Sequence, residues 1–460
     1  MHDLDMWSSG AMNLRFGAGR ALLMGASVLM AVSGGALLQP GGAVASGEAC
    51  HGQGATLVGS PGSELDGTDG PDVVVTNGAS ITLAGGGNDL VCVTGGSGMQ
   101  HAEVYGQDGD DLIDASGSEA DRSQVYLEAG DDTFIGGPVP DYVFADDWED
   151  SPADAQGADT VSTGGGNDYV ETGGSASTPD HDSIDLGTGR DDVALEGPID
   201  PAQPLEGGGG RDGVELDGST LRHALAVDNA AGQASDAGVP VMSWDGIENF
   251  YFGPIGPWQA PSFNGGPGAE RVDTNIPLSS VRLGGGDDVV NLELQGRLVD
   301  HPSYAGGTGR DSFTLYAGAG DEAHRADLDI PDGRLFFRRD AQASMHARIH
   351  GFERTRLSAR RLDVRGSART DEIDWAGCRG VVAGGRGDDL IRGMIPDDVG
   401  CGYLGEDNQL VVRGGRGDDR LVGSYMPDIL LGGAGHDFAN GRSNRDTCVA
   451  ERTLHCERRP

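Results

Sequence analysis

The residues of this chain best suited to chemistry are aspartates that follow short runs of glycine. The recurring unit is a glycine run, an Asn, Asp or Arg, then Asp, one further residue and an apolar residue. The copies that keep every glycine lie at residues 207–214, 306–313, 384–391, 414–421 and 432–439. Glycine adopts positive φ at little steric cost, so its carbonyls can converge in a tight turn beside the Asp carboxylate. Such hard oxygen ligands suit Ca²⁺.

The spacing of these acidic residues predicts that the units stack in register. Pairs nine residues apart are Asp159 and Asp168, Asp182 and Asp191, and Asp437 and Asp446, and pairs eighteen apart are Glu270 and Asp288, Asp371 and Asp389, and Asp419 and Asp437. After the aspartate, apolar positions alternate, as at Val290, Leu292 and Leu294, which is typical of a strand with one inward face. One such strand cannot bury its face alone, but stacked coils can. Stacking would align the carboxylates in a column that requires cations.

This unit resembles the RTX, or haemolysin-type calcium-binding, nonapeptide Gly-Gly-x-Gly-x-Asp-x-U-x, where U is apolar. The resemblance covers most of residues 55–450 in broken patches, usually with one good loop per coil. It implies an all-β fold, a parallel β-solenoid of the β-roll type, with Ca²⁺ held between stacked turns by Asp carboxylates and glycine carbonyls. By position, the implied calcium ligands are Asp72, Asp89, Asp111, Asp132, Asp168, Asp191, Asp212, Asp288, Asp311, Asp389, Asp419 and Asp437.

The N-terminus predicts export. Arg15 and Arg20 precede a mostly apolar stretch at residues 21–38, and Ala-Val-Ala at 43–45 is a small-x-small cleavage site. We interpret residues 1–45 as a secretory signal peptide, which leaves a secreted, extracellular chain from Ser46 onward. A membrane anchor is the alternative. No later stretch is long and apolar enough to span a bilayer. RTX toxins and proteases typically use a C-terminal export signal, so this layout looks more like secreted calcium-binding proteins of high-GC Gram-positive bacteria.

Two stretches without the loop divide the exported chain into blocks. The repeat blocks are residues 46–216, 266–320 and 371–460, and the loop-free segments are the aromatic-rich residues 217–265 and the arginine-rich residues 321–370. Both segments hold a similar phrase, Ile247-Glu248-Asn249-Phe250 in the first and Gly351-Phe352-Glu353-Arg354 in the second. We interpret them as variant solenoid segments that splice the blocks. A separate binding module is the alternative.

Six cysteines in an exported chain imply disulfides, which six cysteines can form in fifteen ways. Their clustering along the chain favours Cys50–Cys92, Cys378–Cys401 and Cys448–Cys456, the last of which would pin the C-terminus. No CxxC pair is present, which makes a zinc site improbable.

Charge restricts the partners. The chain has no lysine and a net charge of −41, and residues 46–320 hold 47 acidic side chains against 8 arginines. Residues 321–460 are nearly balanced, with 24 acidic side chains against 22 arginines. Such an acidic surface repels nucleic acid and anionic lipid, so we expect neither as a partner. A merely halophilic surface would spread its acidic residues evenly, whereas here they recur beside glycine at fixed offsets.

The sequence lacks the usual catalytic signatures. It has no Gly-x-Ser-x-Gly elbow and, without lysine, no phosphate-binding loop, and His346 and His350 lack the Glu of a zinc protease motif. We therefore expect no enzyme, but a secreted protein in which calcium binding is coupled to folding. The first alternative is a cell-surface adhesion or matrix protein with purely structural Ca²⁺ that contacts cell-wall or extracellular polysaccharide. The second is a β-helix polysaccharide lyase or epimerase.

Overall fold

The computed structural model describes residues 48–146, 157–173, 180–217, 221, 223–253, 260–294, 298–317, 324–340, 343–394, 401 and 409–457. The predicted signal peptide lies outside the described residues. Within them the chain forms short strands and one 3₁₀ helix, Asn229–Ala231. None of the helical structure in these ranges is long and apolar enough to cross a membrane.

Nearly all strands belong to two sheets, here named sheet A and sheet B, and the chain alternates between them. Sheet A is one ladder of parallel strands: Glu64–Thr68, Ile81–Gly86, Ala102–Asp108, Ser123–Ala129, Asp141–Phe144, Tyr169–Thr172, Asp192–Glu196, Asp212–Asp217, Ile247–Phe252, Arg271–Thr274, Val289–Glu293, Ser312–Tyr316, Arg354–Ser358, Glu372–Ala376, Leu390–Gly393, Arg420–Val422, Phe438–Asn440 and Arg452–Leu454. One strand of each sheet together make one coil, so the predicted all-β parallel solenoid is confirmed.

Sheet B carries the other half of each coil. Its coil strands are Leu57–Val58, Val73–Val75, Leu90–Gly95, Leu112–Ser118, Thr133–Ile135, Thr160–Ser162, Ser183–Asp185, Leu205–Glu206, Ser262–Asn264, Ser280–Gly285, Ser303–Thr308, Arg361–Arg365, Arg379–Arg386, Leu410–Arg416, Asp428–Ala434 and Thr447–Val449. Outside the two sheets, Ala49–Cys50 pairs antiparallel with Gln53–Gly54, and Gly165–Gly166, Thr188–Gly189 and Gly209–Gly210 form a small parallel sheet at one turn.

The alternating pattern places one apolar side chain of each strand above its counterpart in the next coil. In sheet A, Val104, Val125, Val143 and Val170 are in register and at most 1% exposed. Branched side chains of similar size fill a narrow interior between two pleated sheets without leaving gaps. Register is therefore fixed, because a slip of one residue would turn every valine outward.

Two antiparallel meanders interrupt sheet B, and both lie within the loop-free segments. Their strands are Leu225–Asp228, Gln233–Asp236 and Val239–Asp245 in the first, and Arg325–Asp329, Arg334–Arg338 and Ser344–His350 in the second. In each meander the last strand pairs with the preceding coil and the first strand pairs with the following coil. Sheet A continues past both meanders without a break. The aromatic side chains Trp244, Phe250 and Phe252 of the first segment are buried core residues.

The three disulfides favoured by the clustering of the cysteines are the ones the structure forms. Cys50–Cys92, Cys378–Cys401 and Cys448–Cys456 have Cα–Cα distances of 5.6, 5.5 and 5.8 Å. They tie the first described residues, one turn near the second meander and the last coil to the solenoid.

Candidate metal centre

The repeated acidic residues line the two edges of the solenoid, where the chain turns from one sheet to the other. We call the turn from sheet A into sheet B the A-to-B edge and the opposite turn the B-to-A edge. Acidic residues nine apart lie on opposite edges, since Asp159 precedes a sheet B strand and Asp168 a sheet A strand. Those eighteen apart lie on the same edge in adjacent coils, as Asp371 and Asp389 do. Nine residues are thus half a coil.

Along each edge the acidic side chains bond directly to the backbone of the neighbouring coil. The Asp89 N–H donates to Asp111 Oδ1 at 2.8 Å, and the Asp111 N–H donates to Asp132 Oδ1 at 2.7 Å. We call such a series a carboxylate ladder. The described residues contain five ladders: Asp72-Asp89-Asp111-Asp132-Asp159-Asp182 and Asp428-Asp446-Glu457 on the A-to-B edge, and Asp141-Asp168-Asp191-Asp212-Glu248, Glu270-Asp288-Asp311-Glu353 and Asp371-Asp389-Asp419-Asp437-Glu451 on the B-to-A edge.

The second oxygen of most ladder carboxylates is buried without a hydrogen-bond partner among the described residues. This holds for eleven of the twelve predicted ligands, in which Oδ1 accepts the ladder bond and Oδ2 is the orphan. All eleven side chains are at most 3% exposed. A buried carboxylate oxygen without a partner is costly, because the charge has lost its water and gained nothing in return. An oxygen in this setting is chemically suited to act as a ligand to a cation.

The first glycine of the unit provides room for this carboxylate. A Cβ on Gly384 would lie 2.2 Å from Asp389 Oδ2, and one on Gly414 would lie 2.2 Å from Asp419 Oδ2. The second glycine of the loop, Gly415, has a φ of +126°, and a Cβ there would lie 2.2 Å from the Gly385 carbonyl oxygen of the coil below. The glycines therefore let the coils stack closely and let the carboxylate fold back over its own loop.

Burial raises the pKa of many of the ladder aspartates, among them Asp111, Asp389 and Asp419. Loss of solvent is the main cause, and neighbouring carboxylates in the ladder add to it. The pKa of Asp111 rises to about 8, that of Asp389 to about 7 and that of Asp419 to about 6. In the absence of a cation, a substantial share of these groups would hold a proton at neutral pH. A positive charge beside them would restore the ionised form.

Each ladder begins at a carboxylate that is bonded by its own loop. At Asp72, Asp371 and Asp428 the residue four positions earlier is Thr68, Ser367 or Ser424, and both its N–H and its hydroxyl donate to the carboxylate. The Thr56 hydroxyl donates to the other oxygen of Asp72, so both oxygens have partners. Asp72 thus differs from the other eleven predicted ligands. Asp141 and Glu270 also begin ladders, and each accepts the N–H four residues earlier.

Four of the five ladders end on a glutamate. The last Asp N–H donates to Oε2 of Glu248, Glu353, Glu451 or Glu457 at 2.7–3.0 Å. None of these coils has a glycine loop before the acid, and the longer side chain reaches the N–H from a different backbone path. Glu248 and Glu353 lie in the similar phrases of the two loop-free segments. In the structure, each phrase supplies the glutamate that ends a ladder.

The remaining ladder ends at a group of three carboxylates. Ligand oxygens of Asp146, Asp180 and Asp182 lie within 4.8 Å of one another. The Thr172 hydroxyl contacts Asp182 and lies 2.7 Å from Asp180, and the Gly173 N–H donates to Asp146 at 2.9 Å. The other group of potential ligands in the described residues is Cys50, His51 and Cys92, whose sulfur atoms are joined in a disulfide and cannot act as thiolates.

Sequence reasoning missed two ladder aspartates besides the terminal glutamates. Asp141 and Asp428 each follow a proline and lie five residues after a glycine, at Gly136 and Gly423. The aspartate-to-glycine spacing is therefore the same as in the full unit, but the glycine two positions before the aspartate is absent from both copies. Asp159, Asp182, Asp371, Asp446 and Glu270, weak echoes of the unit in the sequence, are full members of ladders.

A second, exposed ladder runs beside the buried one and bonds in the opposite direction. The Asp418 N–H donates to Asp388 Oδ1 at 2.8 Å, and the His436 N–H donates to Asp418 Oδ1 at 2.8 Å. These are the residues just before the buried aspartates, and their side chains face solvent. The loops at Asp388 and Asp418 therefore each hold one exposed and one buried acid, which gives a matched pair for experiments.

Comparisons with models of known protein families and with curated proteins found no match to this chain.

Proposed function

We propose that this protein binds Ca²⁺ along its carboxylate ladders and that binding stabilises the folded solenoid. The observation that carries the proposal is the series of buried carboxylate oxygens without hydrogen-bond partners, which recurs once per coil on an edge. Hydrogen bonds fix one oxygen of each carboxylate, which leaves the other oriented for a cation.

The donor set supports Ca²⁺ among the common metals. Every candidate ligand is an oxygen, from a carboxylate or a glycine-loop carbonyl, and Ca²⁺ accepts six to eight such ligands in flexible geometry. Zinc and copper prefer nitrogen or sulfur ligands, and all six cysteines are in disulfides. The residues that would hold the ions are the ladder members with orphan oxygens, of which Asp389, Asp419 and Asp437 in the third B-to-A ladder are representative.

Electrostatics supports a coupling between binding and folding. Ladder carboxylates lie in adjacent coils, which are separated by about 4.8 Å, so ionised neighbours repel one another in a site with little water. A bound cation removes that repulsion and supplies the missing partner. Since the unfolded chain offers no such site, binding adds to the free energy of unfolding by mass action. The RTX-like unit and the predicted export to a calcium-rich exterior agree with this proposal.

The test is to follow folding as a function of calcium. Far-ultraviolet circular dichroism of the chain from residue 46 should show more β-structure and a higher unfolding midpoint in Ca²⁺ than in chelator. Equal concentrations of Mg²⁺ should be much less effective, because Mg²⁺ demands octahedral geometry and gives up water reluctantly. Equal strand content and equal stability in Ca²⁺ and in chelator would contradict the proposal.

A further inference from the structure

Four arginines form a row across four adjacent strands of sheet B at the second meander. Arg338 is in register with Arg325, Arg325 with Arg361, and Arg361 with Arg379. The strands involved are the second and first strands of the meander and the first two coil strands after it. We call these four residues the arginine row. They lie in residues 321–460, the part of the chain that is nearly neutral, and not in residues 46–320, which carry the acidic excess.

The row is only partly neutralised. Arg325 pairs with Asp327 at 2.7 Å and with Asp363 at 3.3 Å, and Arg361 shares Asp363 at 3.1 Å. Arg338 and Arg379, at the two ends, form no ion pair with any described residue, and both are exposed. Like charges directly opposite each other on adjacent strands destabilise a sheet. The four aligned arginines therefore add electrostatic repulsion to this part of sheet B and do not stabilise it.

The arginine row borders a depression of about 300 Å³. Its lining includes all four residues of the row, together with His324, Arg360 and Cys378. His324 and Cys378 are buried, and Cys378 is held by its disulfide to Cys401. The depression therefore brings together a concave surface and two guanidinium groups, those of Arg338 and Arg379, that form no ion pair with a described residue.

We infer that the arginine row is a binding site for a linear polymer that carries closely spaced oxyanion groups. The guanidinium group is planar and binds sulfate or carboxylate through two parallel hydrogen bonds. Adjacent strands lie about 4.8 Å apart, so the row presents four such groups over about 14 Å. A single small anion engages one or two of them, whereas a short polymer can engage all four.

A sulfated or uronate-bearing glycan fits this site better than nucleic acid or an acidic part of the same chain. The acidic excess of residues 46–320 repels a long polyanion such as DNA along much of the chain, whereas a short anionic glycan can contact the depression alone. The exposed acids on the loops, such as Asp388 and Asp418, already bond to neighbouring backbone N–H groups within their own chain.

The experiment measures binding of a labelled heparin-derived hexasaccharide to the full exported chain with Ca²⁺ present. We expect the double variant R338Q/R379Q to bind about tenfold more weakly than the wild type, which corresponds to about 1.4 kcal/mol. The control is R334Q/R348Q, which removes two exposed arginines that are in register on adjacent strands of the same meander but do not line the depression. Its affinity should equal that of the wild type. Calcium stoichiometry, measured on the same samples, should be the same in all three proteins.

The other probes define the ligand chemistry. Binding of an oligogalacturonate hexamer as tight as that of the sulfated sugar would assign the site to carboxylates as well as sulfates, and maltohexaose should not bind. Competition by free sulfate only at concentrations far above that of the hexasaccharide would support recognition of several groups at once. Equal affinity of the wild type and R338Q/R379Q would overturn the inference. So would an equal loss in both double variants, because it would show a general effect of net charge.

Discussion

Replacing Asp389 by Asn separates two effects of a buried ladder carboxylate on stability: the gain from calcium binding and the cost of burying an ionisable group. Asn keeps the Oδ1 that accepts the Asp371 N–H, and it replaces the orphan oxygen with an uncharged amide nitrogen. The adjacent Asp388 offers a matched control, because D388N makes the same chemical change one residue away on the exposed ladder. Any difference between the two variants therefore reports on burial and cation binding rather than on net charge.

The expected magnitude follows from mass action. Extracellular calcium sites commonly have a Kd of about 10⁻⁴–10⁻³ M, so one site in 10 mM Ca²⁺ stabilises the fold by about 1.4–2.7 kcal/mol. D389N should lose that amount in calcium. In chelator the sign reverses, because the variant lacks a carboxyl whose pKa burial raises to about 7, and it should be at least as stable as the wild type. D388N should change stability little in either condition, since its carboxylate is hydrated.

Urea unfolding monitored by circular dichroism, in 10 mM Ca²⁺ and in chelator, measures both effects. If the calcium-free chain is unfolded without urea, the calcium concentration at half-folding replaces the urea midpoint, and D389N should shift it upward. Titration calorimetry should give a lower calcium stoichiometry for D389N than for D388N. The same loss of stability for D389N with and without calcium would refute the reasoning, because it would make Asp389 an ordinary buried hydrogen-bonding residue.

Three further predictions concern the ladder ends, the glycines and pH. E353A should lower the free energy of unfolding by about 1 kcal/mol, because the buried Asp311 N–H loses its acceptor. E353Q should keep the acceptor and the stability, and the urea unfolding midpoints of the two variants test this. G384A should lower the free energy of unfolding by about 1–3 kcal/mol and weaken calcium binding, because the new Cβ would overlap the Asp389 carboxylate. G70A, where the new Cβ would meet open space, should change neither the urea midpoint nor the calcium affinity appreciably. In chelator, folded-state pKa values such as about 8 for Asp111 exceed the unfolded value of about 3.9, so the folded chain binds more protons and stability should fall as pH rises from about 4 to 8. In saturating Ca²⁺, protons compete with the ion and stability should instead fall as pH drops; the same pH trend in both conditions would contradict a shared site.

The sequence was sufficient to predict the solenoid and most of the ladder. The offsets of nine and eighteen predicted stacked coils. The structure adds that residues nine apart lie on opposite edges and that residues eighteen apart bond directly. The twelve predicted ligands all belong to ladders, and eleven have the orphan oxygen. The disulfide pairs were predictable for a similar reason, since a solenoid brings together residues that are close in sequence.

The ladder ends could not be predicted, because their geometry depends on contacts between coils. Glu353 shares a similar phrase with Glu248, but the phrase does not reveal a bond to the Asp311 N–H, which forms only when the second meander brings the two coils together. In the same way, Asp72 has the sequence of a ligand, but the Thr56 hydroxyl of an earlier turn already occupies its second bonding position. The four residues of the arginine row are 54 positions apart at most, and only the reversal of the meander places Arg338 beside Arg325.

The beginnings and ends of the ladders explain why the solenoid is divided into blocks. A ladder without special end residues would leave a buried carboxylate without a donor at one end and a buried N–H without an acceptor at the other. Here a loop serine, threonine or backbone N–H satisfies the first carboxylate, and a glutamate accepts the last N–H. On the B-to-A edge the two internal breaks, after Glu248 and after Glu353, each follow a meander directly. The meander thus inserts a coil without a glycine loop, and this coil closes one column of acidic side chains before the next begins. Each column therefore has its backbone hydrogen bonds satisfied at both ends, and the buried acidic side chains are divided among several short columns rather than one.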